Sequence, residues 1–329
     1  MWASIAAFYG DKSNIFQIPF SIFESLKEEL LEIIQKQLEI SEIQAIEAVR
    51  GGDINEAFRL STPNKNYFIK RNSASQFPNM FEAEAKGLQL LSETKALRVP
   101  KTLAQFDFED DSLLVLEFLD FANPNRDFWP KLAEGLAALH KRTNEYFGLD
   151  HHNYIGNLQQ SNRQHQSWAD FFVTERLEPM LKMGLDQGEI HKFDLGLFDR
   201  CFSLLDDFFP PEKPSLIHGD FWSGNFAMST KEEACAFDPA VYFGHREMDI
   251  AMSKLFGGFD PEFYKSYEHF YPLEQAWEER VDMANLYPLL VHVNLFGGSY
   301  FAQVKQILKS YDWVLNSNKI FSVDGGTLK

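Results

Sequence analysis

A chain of 329 residues that is 45% hydrophobic can bury one large core or two modest ones. A formal charge of −17 repels a phosphate backbone on average, so nucleic acid is excluded as an expected partner, and no apolar run approaches the ~20 residues of a membrane span. Cys201 and Cys235 lack CxxC spacing and read as free buried thiols in a reducing compartment, the cytoplasm. The start "MWASIAAFYGDK" has no basic n-region and reads as mature protein.

Leu26, Leu30, Ile33, Ile34 and Leu38 recur on one stripe and predict an amphipathic helix over about 23–40. The stretch from Ile43 to Asn72 predicts three strands, with turns at Gly51-Gly52-Asp53 and Pro63-Asn64-Lys65-Asn66. A helix is expected over 79–94, then two strands with Glu109-Asp110-Asp111 between them. After Phe121 the pattern turns helical: Leu132, Leu136 and Leu139 share a face, and "SWADFFVTERLEPMLKMG" and "FDLGLFDRCFSLLDDFF" continue in that style. "DHHNYIGNLQQSNRQHQ" between them is polar and reads as a long loop, and "SVDGGTLK" as a frayed tail. The expected organisation is α+β and two-lobed. An antiparallel-sheet lobe with one inserted helix covers 1–119, and a larger, mainly helical lobe covers 120–329.

Chemistry concentrates in "LIHGDFWSGNFAMSTKEEACAFDPAVYFGHREMDIAM", from Leu216 to Met252. Buried acids and amides cost free energy unless they are paired or bind a cation. Here Asp220 and Asn225 stand in D-x-x-x-x-N spacing, and Asp238 ends the apolar run "ACAF". A hairpin turning at Lys231-Glu232-Glu233 brings Asn225 and Asp238 to the same end. Two hard oxygen donors suit Mg²⁺. A loop Asp followed by an Asn and an Asp is the arrangement of kinase-type phosphotransferases, in which the first positions the acceptor hydroxyl and the others hold metal. Such an enzyme also needs a glycine turn near phosphate, a strand lysine, a helix acid to hold it and a lobe connection facing adenine. Gly51 and Gly52, Lys70, Glu84 (with Glu82 as competitor) and Glu117, Phe118 and Leu119 occur in that order.

With "YFIKRN", "MFEAEAKGLQLL", "WADFFVTERL", "HGDFWSGN", "DPAVYFGHRE" and "YPLLVHVNLFGGSY", the chain resembles the fructosamine (ketosamine) kinases, in the aminoglycoside and choline kinase-like branch of the protein-kinase-like fold. The resemblance spans roughly Gly51 to Tyr300 and leaves Tyr9–Glu28 uncovered. It implies ATP- and Mg²⁺-dependent phosphorylation of the 3-hydroxyl of a small or protein-bound ketoamine, giving a labile product and hence deglycation. Some members carry a cysteine in the glycine turn; Asp53 and Ile54 stand there in this chain, so no redox switch is expected. In this fold an acid placed like Asp249 accepts hydrogen bonds from the catalytic-loop backbone, and His218 reads as a loop anchor.

Trp222 reads equally as substrate platform or core. A substrate role for His292 and Asn294 rests only on a late helix expected to face the site. His151, His152, His165 and His245 lack metal-ligand spacing and read as surface residues. Three other readings compete: a kinase of another small amine or sugar, a catalytically silent binding protein, and a metal hydrolase using His218, Asp220 and Asp238. The last leaves Lys70 and the glycine turn without a role.

Overall fold

The computed structural model describes residues 28–49 and 55–322, with side chains through Tyr311. Gly51 and Gly52, the segment before Glu28 and the tail beyond Ser322 lie outside the described residues.

Helix α1 (Glu28–Leu38) is the described part of the expected first helix, and Leu30 and Ile34 on its stripe are wholly buried. Full burial of such side chains is worth roughly 1.5–3 kcal/mol each. Strands β1 (Ala45–Val49), β2 (Glu56–Ser61), β3 (Asn66–Ser73), β4 (Thr102–Phe108) and β5 (Asp111–Glu117) form one antiparallel sheet in the order β1-β2-β3-β5-β4. Side chains alternate across a strand. Tyr67, Ile69, Leu113 and Val115 therefore face α1 in one apolar layer. Phe68, Leu114 and Leu116 face the other way, against helix α2 (Met80–Thr94) with its Phe81, Leu88 and Leu91. Lys70 shares the parity of Phe68 and pairs with Leu114 across the ladder. The strand period therefore aims its stem toward α2.

A two-residue strand, β6 (Phe121–Ala122), and helix α3 (Phe128–His140) begin the helical part. The polar stretch after it is not a plain loop. It contains the hairpin β7 (Asn153–Ile155) and β8 (Leu158–Gln160), and buries Asn153, Gln160 and Asn162. Its polarity is internal, because these amides bond to one another and to backbone carbonyls. Residues 168–187 form one helix, α4, whose middle turns, Phe172–Leu177, are π-helical. Helices α5 (Leu195–Phe202) and α6 (Leu205–Phe208) follow.

Short strands then interrupt: β9 (Ser215–Ile217), β10 (Phe226–Ser229), β11 (Ala234–Ala236) and β12 (Tyr242–Gly244). β10 pairs with β11 and β6, and β12 with β9. Helices α7 (Glu247–Lys254), α8 (Pro261–Phe270), α9 (Trp277–Ala284), α10 (Leu286–Phe296) and α11 (Tyr300–Ser322) complete the chain. Among the described residues no helix is long and apolar enough to cross a membrane. His245, read above as a surface residue, is wholly buried; its Nε2 donates to the Pro210 carbonyl, 3.1 Å away. Both cysteines are buried free thiols, and burial pushes their pKa values up to about 12.

Candidate active site

The loop between β9 and β10 carries Asp220 and Asn225. Gly219 turns it with φ +81, and a Cβ there would meet the Ala240 carbonyl oxygen at 2.1 Å, so only glycine fits. The Asn225 Nδ2 donates to Asp220 Oδ2 at 2.8 Å and to the Asp220 carbonyl at 2.9 Å. Those bonds fix the amide with its oxygen on the far side from Asp220. Phe226 pairs with Ala236, and the Phe237 N–H donates to the Asn225 carbonyl at 3.0 Å. The β10–β11 hairpin thus sets Asn225 beside the start of the Asp238 loop. Asp238 itself adopts the left-handed conformation, φ 54, an uncommon choice for a non-glycine residue.

Three buried side chains hold the loop from beneath. Asp249 accepts the backbone N–H of His218 at 2.7 Å and of Gly219 at 2.9 Å. His218 donates from Nε2 to the Phe237 carbonyl at 3.1 Å, and its Nδ1 accepts the Asp220 N–H at 3.3 Å. Burial lowers the His218 pKa, against the pull of Asp249, which suits a neutral ring with one donor and one acceptor. His140, at the end of α3, places Nε2 3.2 Å from Asp249 and Nδ1 2.7 Å from the Tyr267 hydroxyl. Sequence reasoning passed over His140; the lone polar side chain in the apolar run "LAALH" was the available signal.

Across the cleft, Lys70 Nζ lies 2.7 Å from Glu84 Oε1 and 2.8 Å from Asp238 Oδ1. Burial works against the Lys70 charge, but Asp238 and Glu84 outweigh it and raise the pKa well above the ordinary lysine range. One ammonium shared by two carboxylates leaves excess negative charge; burial, with Asp238, pushes Glu84 upward while Lys70 opposes. Glu82 is turned outward onto Lys86 at 2.7 Å, so Glu84 is the lysine's partner on α2. The side chain of Glu117 pairs with Arg98, and the ladder of β5 ends there, which leaves Phe118 and Leu119 as the connection to β6.

The Asp220 carboxyl is pushed up to about 8, first by burial and then by Asp238 and Asp249, with Asn225 opposing. With no cation beside it such a carboxyl keeps its proton at neutral pH; a cation brought close favours the charged form, which can accept one.

Trp222 follows closely, its N–H donating to the Asp220 carbonyl at 3.2 Å. Its ring lies across Gly224, where a Cβ would come within 2.3 Å of it. His292 joins the same side of the cleft through Phe256, which contacts both rings. Asn294 does not join them: its Nδ2 donates to the Met180 carbonyl of α4 at 3.0 Å. Two positions along a helix lie about 200° apart, so one face of α10 cannot present both residues.

A second layer, which sequence reasoning missed, lies behind the Asp238 loop. Gln160 Nε2 donates to the Ala240 carbonyl at 3.1 Å, Asn153 Nδ2 to the Val241 carbonyl at 2.8 Å, and the Tyr287 hydroxyl to Gln160 at 2.8 Å. Arg176, wholly buried on the π-helical turn, stacks 4.0 Å from the Tyr242 ring and donates to Asn162 at 2.7 Å and to the Ser161 carbonyl.

The sequence model of the fructosamine kinase family matches residues 26–312. A probable ketoamine kinase of Synechocystis sp. is 40% identical over 268 residues, covering 81% of this chain and 90% of that protein. A crystal structure from Haemophilus somnus, assigned there as a fructosamine-3-kinase, superposes with a TM-score of 0.79 at 28% identity, over 88% of this chain and 99% of that one. An aminoglycoside phosphotransferase in ternary complex with AMP-PNP and hygromycin B superposes with a TM-score of 0.58 at 15% identity, over 85% and 97%; at that distance only the kinase-like fold is shared. The cleft built from Lys70, Glu84, Asp220, Asn225 and Asp238 therefore sits in a two-lobed α+β kinase-like phosphotransferase, and the chain belongs to the fructosamine kinase family.

Proposed function

We propose that this chain transfers a phosphoryl group from ATP to the 3-hydroxyl of a ketoamine, with Asp220 as the residue that orients the hydroxyl and accepts its proton. The observation that carries the reading is the buried Asp220 carboxyl, fixed by the Asn225 amide at 2.8 Å beside the Lys70, Glu84 and Asp238 cluster. In phosphoryl transfer the protein mainly positions groups and offsets charge. Lys70, held between Glu84 and Asp238, supplies a fixed cation for the phosphates in an otherwise acidic chain. From the sequence pattern, Gly51 and Gly52 are assigned to the phosphates and the backbone of Glu117, Phe118 and Leu119 to the adenine. We divide the lobes at residue 119.

The donor set fits Mg²⁺. The Asn225 amide is pinned by its nitrogen, so its oxygen is the atom that would meet a cation, and Asp238 is part-exposed while Lys70 holds only one of its oxygens. Asn225 and Asp238 would hold the ion. When bound, the ion would offset the negative charge of the phosphates. Asp249 and His218 serve as anchors of the loop, and Trp222 and His292 border the acceptor. The acceptor is a small or protein-bound ketoamine, and the buried free thiols support a reducing compartment such as the cytoplasm.

The test is ATP-dependent phosphorylation of a fructose-derived amine by the wild type and by Asp220→Asn, which keeps the shape but cannot take a proton. Transfer is expected to fall by roughly 10²–10⁴-fold in the variant. Wild-type protein that ignores ketoamines but phosphorylates an aminoglycoside or choline would retain the kinase and overturn the acceptor. An Asp220→Asn variant with most of the wild-type rate would overturn the role of Asp220.

A further inference from the structure

Glycine in a helix interior costs free energy relative to alanine, because it packs no side chain and loses the most backbone freedom. Gly87 nonetheless stands buried in the middle of α2. A Cβ at Gly87 would stand 3.1 Å from Val241 Cγ2 and 3.7 Å from Pro239 Cγ. The first distance is closer than packed carbon atoms ordinarily come. The helix backbone is thus seated directly on the segment that follows Asp238. Glu84 lies three positions before Gly87, and residues so spaced share a helix face. Two rungs therefore join the same two elements. In one, Lys70 Nζ bridges Glu84 at 2.7 Å and Asp238 at 2.8 Å. In the other, Gly87 meets Pro239 and Val241 with no side chain of its own between.

The loop side of that contact is held in place. The Ala240 N–H donates to the His218 carbonyl at 2.9 Å, the Ala240 carbonyl accepts from Gln160 at 3.1 Å, and the Val241 carbonyl accepts from Asn153 at 2.8 Å. The Val241 side chain is buried, and a β-branched residue has few rotamers to turn to. The next residue of β7, Tyr154, donates its hydroxyl at 3.0 Å to the carbonyl of Pro78, just before α2. One short strand thus bonds to the loop through Asn153 and to the start of the helix through Tyr154. A side chain added at Gly87 must then lift α2, and Glu84 with it.

We propose that Gly87 is a positioning residue, whose bare backbone sets the gap between α2 and the Asp238 loop at the width that one lysine ammonium bridges. This rests on the reading of Lys70 as the cation that holds the phosphates. A strand lysine and its helix acid must both be in place for phosphoryl transfer of this kind. In this chain a close approach of helix backbone to loop puts them there.

Gly87→Ala closes the gap by one carbon, and Val241→Ala reopens it. With the fructose adduct of glycine as acceptor, Gly87→Ala is expected to lower kcat/KM for ATP about three- to tenfold, since small misplacements already cost rate. KM for the adduct should stay unchanged. Adding Val241→Ala is expected to return kcat/KM for ATP to that of Val241→Ala alone. In a Lys70→Met background Gly87→Ala is expected to cost nothing further, because its effect runs through the lysine, whereas a purely structural role would cost the same in both backgrounds. Gly87→Ala with wild-type ATP kinetics would overturn the proposal, and so would a loss that Val241→Ala does not relieve. Lys70→Met with unchanged ATP kinetics would instead overturn the reading of Lys70, and the role of Gly87 with it. Wild-type protein inert toward the adduct would overturn the ketoamine reading alone; the Kd for ATP, which needs no acceptor, then decides between the same outcomes.

Discussion

Asp220 is buried beside Asp238 and Asp249, and burial holds its proton far above the usual carboxylate range, to about 8 against an ordinary 3.8. The native state therefore binds this proton more tightly than the unfolded chain does. The stability it contributes is full below pH 4 and is lost as pH rises through 8. Asp220→Asn never ionises, so it is expected to be more stable than the wild type at pH 8, by about 1–3 kcal/mol, with the gain vanishing near pH 4. Thermal melts of both proteins across that range check it; a variant destabilised at pH 8 would contradict the sign. Lys70 answers to a different test. Its ammonium is fixed by two carboxylates, so Lys70→Met should lower kcat/KM for ATP by orders of magnitude in a folded protein. Unchanged ATP kinetics would remove Lys70 from the phosphate site.

The loop that carries Asp220 depends on contacts from distant elements. Asp249 on α7 takes two backbone donors of the loop. Leaving a buried donor without its acceptor costs about 1–3 kcal/mol, so Asp249→Ala should lose about 2–5 kcal/mol together with most activity. Denaturant midpoints and initial rates, measured side by side, decide whether the two losses travel together. The β7–β8 hairpin acts one layer further out: Gln160 bonds to the Ala240 carbonyl, and the Ala240 N–H bonds to the His218 carbonyl at 2.9 Å. Gln160→Leu is expected to lower kcat several-fold along with Tm, and a variant with lower Tm but wild-type kcat would confine the hairpin to stability. The ordered set Lys70, Glu84, Asp220, Asn225 and Asp238 was readable in the sequence because each residue stands beside a strand period, a helix stripe or a turn. His140, Arg176 and the hairpin amides were not. Tyr287 and Gln160 are 127 positions apart, as are His140 and Tyr267, and polar residues whose partners come from the far end of the chain look like loop or surface. Asn294 was misplaced for a simpler reason: expecting a helix to face the site does not say which residues on it do.

At the scale of the molecule, the five-stranded sheet separates two apolar layers. Leu30 and Ile34 pack with Tyr67, Ile69, Leu113 and Val115 on the face opposite Lys70. Ile34→Ala should destabilise by about 2–5 kcal/mol. Because that layer does not touch the cleft, kcat measured well below Tm should remain near wild type. Leu114→Ala, opposite Lys70 in the β3–β5 ladder, should lower both stability and kcat. Comparable kcat losses in the two variants would mean that the lobe transmits strain through the sheet.

The anchoring of the 218–238 segment by Asp249 has a consequence for how such an enzyme can change. His218, Asp220, Asn225 and Asp249 are buried and bonded to one another, whereas Phe256 and Phe296 sit on exposed, glycine-flanked segments outside that framework. Laboratory evolution toward a new acceptor should therefore collect its substitutions outside 216–249, where a change need not break bonds that hold one another in place.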